Sequence, residues 1–215
     1  MKMQKAFVLL CAGLLIGTSV FALAAPPQKK AAPPKLPAAG LDEEAYAVYS
    51  ALIQSLYTNG AKLLVIDNYV SGCVPVGNNA EGEKAWQQSL NGLPSKMPKL
   101  SQKTVTDFKG NARLCRSVDA KFTIPTKYIL ISKQERTQVF SQADTKKAWA
   151  NFYQKYVGAS GYINLSNIGF NEDRTQALVN TYRKCGEKCG AEKMVLLTKM
   201  NGKWSVAATH KIWEL

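Results

Sequence analysis

The chain has 215 residues and a formal net charge of +13 at pH 7. Beyond residue 40, 23 basic side chains stand against 15 acidic ones, and no basic run exceeds two residues. This surplus favours anionic partners such as phospholipid head groups or cell-wall polymers, although the even spread equally suits a basic protein without such a partner. The 175 residues in that part are enough for one hydrophobic core and too few for two.

The N-terminus has the features of a cleavable secretory signal. Lys2 and Lys5 precede an uncharged apolar run at Ala6–Leu23, and Ala22-Leu23-Ala24 supplies the small residues that a signal peptidase requires. We expect residues 1–24 to be removed, because cleavage one residue later would place Pro26 directly after the cut. The alternative is an uncleaved membrane anchor, which the short run and its Ala-rich end disfavour.

Residues 25–40 predict a disordered tether between the signal and the domain. They contain five of the nine prolines together with three lysines, a composition that cannot bury apolar surface and favours extended polyproline II backbone. A single domain is then expected at 41–215. The export signal predicts a periplasmic or secreted protein that keeps no transmembrane anchor after cleavage, and it makes nucleic acid an unexpected partner.

The first part of the domain is predicted to be mostly helical. Asp42 is an expected N-cap, with Glu43 and Glu44 in the first turn, and Asn59-Gly60 ends the helix. Later patterns predict a strand at Lys62–Val70, a short helix around Glu83–Leu90, a helix near Thr104–Ala112, a strand within Lys121–Ser132, and helices at Lys133–Phe140 and Asp144–Tyr156. The last helix carries an aromatic face that indicates core packing rather than a ligand platform: Trp149, Phe152, Tyr153 and Tyr156.

The last quarter of the chain predicts an antiparallel β-meander. Its strands are expected at Tyr162–Gly169, Thr175–Tyr182, Lys193–Met200 and Lys203–Trp213. Asn201-Gly202 is a strong signal for a two-residue hairpin turn. Helices followed by antiparallel strands predict an α+β fold, with the helices packed on one face of the sheet.

Four cysteines remain after the signal, and an even number in an exported protein predicts disulfides. The spacing of Cys185 and Cys189 suits a bridge across a loop, which leaves Cys73 to pair with Cys115. Zinc binding is disfavoured because the other two cysteines are isolated and His210 is the only histidine. Free or otherwise used thiols are the remaining alternative.

The C-terminal third resembles an uncharacterised family of exported bacterial proteins with an LS-x-x-GFN-x-x-x-TQALV core. The resemblance covers residues 149–206 and includes Leu165–Asn171, Thr175–Val179, Cys185–Gly190 and Gly202–Val206. It implies export and no particular activity. The layout is also similar to the cystatin and nuclear transport factor 2-like α+β group, which implies a curved sheet with helices packed against it.

No motif predicts a catalytic, cofactor or metal residue. A catalytic serine or cysteine paired with a histidine would have to use His210, the only histidine. Its spacing predicts that it lies on the same strand face as Trp204, Val206 and Ala208, so we expect it to pack instead. The acidic pairs Glu43-Glu44, Glu81/Glu83 and Glu172-Asp173 have ordinary solvated explanations, so they predict no catalytic carboxylate pair. An aromatic-basic cluster near the disulfide loop is a candidate for binding an anion, and a solvated hairpin tip is the alternative. It contains Tyr182 and three basic residues: Arg183, Lys184 and Lys188.

Two functions of different classes remain open. The favoured one is an exported non-enzymatic module that binds an anionic envelope component or a protein. The alternative is a small periplasmic or secreted hydrolase with its site in a concavity of the sheet. A deep pocket that contains a strongly perturbed carboxylate or His210 would favour the enzyme.

Overall fold

The computed structural model describes residues 40–73 and 80–215, without the side chains of 73 and 80–83. The predicted signal at 1–24, nearly all of the tether and the Cys73 side chain lie outside this part. Its helices are α1 (Glu43–Tyr57), α2 (Ala80–Asn91), α3 (Leu93–Lys96), α4 (Gln102–Asn111), α5 (Lys133–Val139) and α6 (Thr145–Lys155). Its strands are β1 (Leu63–Asp67), β2 (Tyr128–Ile131), β3 (Ala159–Phe170), β4 (Gln176–Gly186), β5 (Cys189–Met200) and β6 (Lys203–Glu214). The predicted α+β class is confirmed.

The six described strands form one mixed sheet in the order β2-β1-β3-β4-β5-β6. The last four strands are the predicted antiparallel meander. β1 pairs in parallel with both β2 and β3. Parallel neighbours need a long crossover, and the two connections provide it through α2–α4 and through α5–α6.

Local signals in the sequence determine where several elements begin and turn. The Asp42 carboxylate accepts a hydrogen bond from the Ala45 backbone N–H at 2.8 Å, which is the predicted N-cap of α1. Asp144 caps α6 in the same way through the Lys147 N–H. Asn201 and Gly202 have φ angles of 49° and 76°, as the predicted two-residue turn between β5 and β6 requires.

Helices cover both faces of the sheet, so the prediction that they share one face is wrong. On β4, Ala177 and Val179 pack in the cluster around α1, whereas Leu178 between them packs under α3 and α4. The reason is that side chains alternate between the faces of a strand, and β4 is apolar at consecutive positions. We call these surfaces the α1 face and the α4 face.

The α4 face carries two separate apolar clusters. One lies under α2–α4 and is made of Leu90, Leu93, Met97, Leu100, Val105, Phe108, Leu178, Met194 and Leu196. The other lies under α6 and is made of Val65, Ile131, Trp149, Phe152, Tyr156 and Tyr162. The prediction that the aromatic face of α6 packs into the core is therefore confirmed.

Candidate functional site

A cavity of about 550 Å³ lies where α2, α3 and α4 pass over β4 and β5. Its size is within the range typical of small-molecule sites. Most of the wall is apolar and is formed by Trp86, Leu90, Leu93, Phe108, Met194 and Ile212. Polar side chains complete it: Ser71, Ser89, Arg113, Ser166, Asn180, Tyr182 and Glu192. This cavity is the candidate binding site.

The floor of the cavity becomes more polar along the two strands. Leu178 pairs with Leu196, and both are fully buried beneath the helices. The next pair on the same face is Asn180 with Met194, and the pair after that is Tyr182 with Glu192. On this face of β4 and β5, the paired residues therefore change from apolar to polar along the strands, from Leu178–Leu196 to Tyr182–Glu192. A molecule on this floor meets an apolar end and a polar end.

Charged groups of both signs border the cavity. The Arg113 guanidinium lies 4.9 Å from the centre of the Trp86 ring, a cation–π distance. The Glu192 carboxylate accepts a hydrogen bond from the Trp213 indole N–H. The Asn180 amide nitrogen contacts the Met194 sulfur at 3.4 Å, and a thioether is a weak acceptor.

Behind Tyr182 lies a buried ion pair between β1 and α5. Arg136 Nη1 donates to Asp67 Oδ2 at 2.5 Å and to the Tyr182 hydroxyl oxygen at 3.2 Å. The Asp67 side chain is fully buried, and the Arg136 side chain is 17% exposed. Asn164 Nδ2 donates to the same Asp67 oxygen at 2.8 Å. Charge-assisted bonds of this kind hold their partners in one geometry.

Burial determines the electrostatics of this pair. Desolvation raises the pKa of Asp67 from 3.8 to about 6, although Arg136 and the Asn164 hydrogen bond act in the opposite direction. Burial would lower the pKa of Arg136, but the Asp67 charge raises it above its ordinary value. The guanidinium also lies 5.3 Å from the ring centres of both Tyr69 and Tyr162. Asp67 itself does not line the cavity.

A second, more open depression of about 760 Å³ lies near the start of α1 and α4. Its charged side chains bind one another, because Arg174 pairs with Asp42 at 2.8 Å and Lys103 pairs with Glu172 at 2.5 Å. Asp107 accepts a hydrogen bond from the Phe170 N–H. These groups already have partners within the protein, so we do not consider this depression the binding site.

His210 lies on the α4 face, opposite Met194 in the register of β5 and β6. The predicted parity with Trp204 and Val206 is wrong, because the register shifts between Leu196 and Leu197 and moves the rest of β6 to the other face. His210 is half-buried and does not line the cavity. Burial and the nearby Lys96 charge lower its pKa. Its expected packing role remains a prediction.

The predicted Cys185–Cys189 bridge is present, with the two Cα atoms 5.0 Å apart at the β4–β5 turn. Cys115 is also disulfide-bonded. Its pairing with Cys73 remains a prediction, because the Cys73 side chain lies outside the described part.

The candidate anion-binding residues lie near this turn. Arg183 and Lys184 are neighbours on β4, so their side chains leave opposite faces of the sheet. Lys188 lies at the exposed tip. The structure does not gather the three into one site, and anion binding by them stays a prediction.

The sequence did not single out Asp67 or Arg136, and it grouped Tyr182 with the candidate anion-binding residues without predicting its contact with Arg136. Asp67, Arg136 and Tyr182 are 46 or more positions apart along the chain and meet only in the folded sheet. The one available signal is Asp67 itself, a carboxylate that ends the apolar run of β1. Among the acidic pairs, Glu44 binds Lys199 and Trp204, and Glu172 binds Lys103.

The described part of the chain lacks the features of two classes of site. Residues 40–73 and 80–215 contain no group of three or more His, Cys, Asp or Glu side chains placed to hold a metal ion. None of the helices in these ranges has the length and apolar character of a membrane span. Comparison with protein-family models, curated proteins and solved structures finds no match to this chain.

Proposed function

We propose that this protein is an exported, non-enzymatic module that binds an envelope component through the cavity between α2–α4 and the sheet. The observation that carries the proposal is the lining, which combines apolar side chains from the helices and the sheet with polar ones, of which Asn180, Tyr182 and Glu192 lie together on the floor. Such a lining is typical of small-molecule sites. The N-terminal signal supports export, and the Cys185–Cys189 bridge fits an oxidising compartment.

The position of the perturbed carboxylate favours binding over hydrolysis. Asp67 has the raised pKa expected of a catalytic acid, but it is held by Arg136 and lies outside the cavity lining. A general acid must reach the atom that it protonates, directly or through one water molecule. His210 is likewise outside the lining. The two groups that would favour a hydrolase are thus separated from the space that would hold a substrate.

The hydrolase alternative has its own test. A panel of ester and glycoside substrates is incubated with the protein and with Asp67→Asn and His210→Gln. Our proposal predicts no turnover by any of the three. Turnover that disappears in one of these variants, with an unchanged melting temperature, would establish the hydrolase instead.

Binding in the cavity is tested with anilinonaphthalene sulfonate, an amphiphilic fluorophore that brightens in apolar sites. We expect a saturable rise in fluorescence with one site per chain. Trp86→Ala should weaken this binding because Trp86 lines the cavity, whereas Trp204→Ala should not, because Trp204 packs on the α1 face. Equal effects of the two substitutions would refute the proposed location.

The basic surface adds an ionic contribution to the proposal. Eight excess positive charges in the domain would attract an anionic envelope surface, and salt screens such attraction over about 10 Å at 0.1 M ionic strength. Co-sedimentation with anionic and neutral vesicles at low and high salt measures it. Equal binding to both vesicle types, or binding to neither, would remove the anionic-surface part of the proposal.

A further inference from the structure

The Tyr182 side chain connects the buried ion pair to the cavity. Tyr182 lines the cavity, and its oxygen accepts a hydrogen bond from Arg136 Nη1 at 3.2 Å. Its ring packs edge-on against Tyr162, with ring centres 6.2 Å apart. The side chain is therefore fixed both at its ring and at its oxygen.

Arg136 also determines what this hydroxyl can still do. A tyrosine hydroxyl has one proton to donate, and its oxygen already accepts from the guanidinium. In the described part of the chain, the hydrogen bond from Arg136 is the one found for this hydroxyl, so its proton has no acceptor there. The guanidinium is itself fixed by Asp67 and by the rings of Tyr69 and Tyr162. The hydroxyl is thus a positioned donor, and it belongs to a side chain that lines the polar end of the cavity.

The other groups that line the cavity limit which hydrocarbon chain and which head group a ligand can have. The apolar wall suits a hydrocarbon body, and a cavity of about 550 Å³ takes a molecule of drug size rather than a two-chain phospholipid. Arg113 and Glu192 give the rim one charge of each sign, so net charge does not select the head group. The head group is therefore selected by hydrogen bonding, because a buried hydroxyl donor such as that of Tyr182 loses free energy when the ligand offers it no acceptor.

Resting on the proposed function, we infer that Tyr182 is the donor that orients the ligand, and that the ligand is a single-chain amphiphile with an oxygen acceptor in its head group. The apolar chain lies against Trp86, Leu90 and Met194. The head oxygen accepts from the Tyr182 hydroxyl at the level where Tyr182 pairs with Glu192. Asp67 and Arg136 act as positioning residues, since they reach the ligand only through Tyr182.

The test is calorimetric titration with three amphiphiles of equal chain length, each kept below its critical micelle concentration or, for dodecanol, below its solubility limit. Dodecanoate has a charged acceptor head, dodecanol has a neutral one, and dodecyltrimethylammonium has no acceptor. Tyr182→Phe removes only the hydroxyl. We expect it to weaken dodecanoate binding about tenfold or more and dodecanol binding several-fold, and to leave the ammonium compound unchanged.

Tyr153→Phe is the matched control, because the Tyr153 hydroxyl donates to the Cys185 carbonyl at 2.7 Å and Tyr153 does not line the cavity. It should change none of the three affinities. If all three amphiphiles bind and Tyr182→Phe affects them equally or not at all, the inference about Tyr182 is overturned while cavity binding stands. If none of them binds, the proposed function fails and the inference fails with it.

Discussion

The two faces of the sheet are built differently. The α1 face is covered by one continuous apolar cluster that includes Tyr49, Leu52, Ile53, Leu64 and Val195. The α4 face has two apolar clusters, and between them lie the Asp67–Arg136 pair and the polar floor at Asn180 and Tyr182. A closed face of this kind contributes stability, whereas the divided face leaves room for a cavity and for fixed polar groups. Substitutions on the two faces should therefore have different consequences.

The largest effect on the α4 face is expected from Arg136→Met. It leaves the Asp67 carboxylate buried without its ionic partner, and breaking a buried pair in this way costs about 3–5 kcal/mol of unfolding free energy. Urea unfolding at pH 7 measures the cost. The double variant Asp67→Asn/Arg136→Met should recover most of it, because no buried charge remains. A cost below about 1 kcal/mol for the single variant would contradict this account of the pair.

On the α1 face, Leu52→Ala should cost about 2–5 kcal/mol, because Leu52 is fully buried and its removal leaves a void in a continuous core. Asn180→Ala on the cavity floor should cost less than about 1 kcal/mol, since the weak contact with the Met194 sulfur is the one found for its side-chain amide among the described residues. The midpoints of urea unfolding give both values. Equal costs would show that the two faces contribute to stability in the same way.

Much of the fold follows from local signals, and the division between the faces does not. The Asp42 cap and the Asn201-Gly202 turn depend on neighbouring residues, so the sequence predicts them correctly. The assignment of helices to faces depends on strand pairing across the sheet. Arg136 meets Asp67 from 69 positions away, which no local pattern predicts. The position of His210 was missed because a single register shift in β6 reverses side-chain direction.

The buried pair also predicts a pH dependence of stability. The raised pKa means that folded Asp67 binds its proton more tightly than the unfolded chain does. Its contribution to unfolding free energy is therefore fully present below pH 3.8 and is lost as pH rises to about 6. The loss is at most about 3 kcal/mol. Asp67→Asn should flatten this part of the curve, and parallel curves for the two proteins would contradict the shift.

A further difference is expected between the two bridges. On the chain-entropy model, a closed loop of about 43 residues stabilises by roughly 2 kcal/mol more than one of about 5 residues. If Cys73 pairs with Cys115, Cys115→Ser should therefore cost about 2 kcal/mol more than Cys189→Ser. Non-reducing peptide mapping checks the pairing, and thermal unfolding checks the order. A larger cost for Cys189→Ser would refute the loop-length argument.

The most direct test of the divided face is a backbone amide NMR titration of the protein with dodecanoate. We expect saturable shifts at the cavity, centred on Trp86, Arg113, Asn180 and Tyr182, with the amides of α1 unchanged. Saturable shifts centred on α1, on the Cys185–Cys189 turn or on the depression beside Asp42 would contradict it, and so would the absence of any saturable shift.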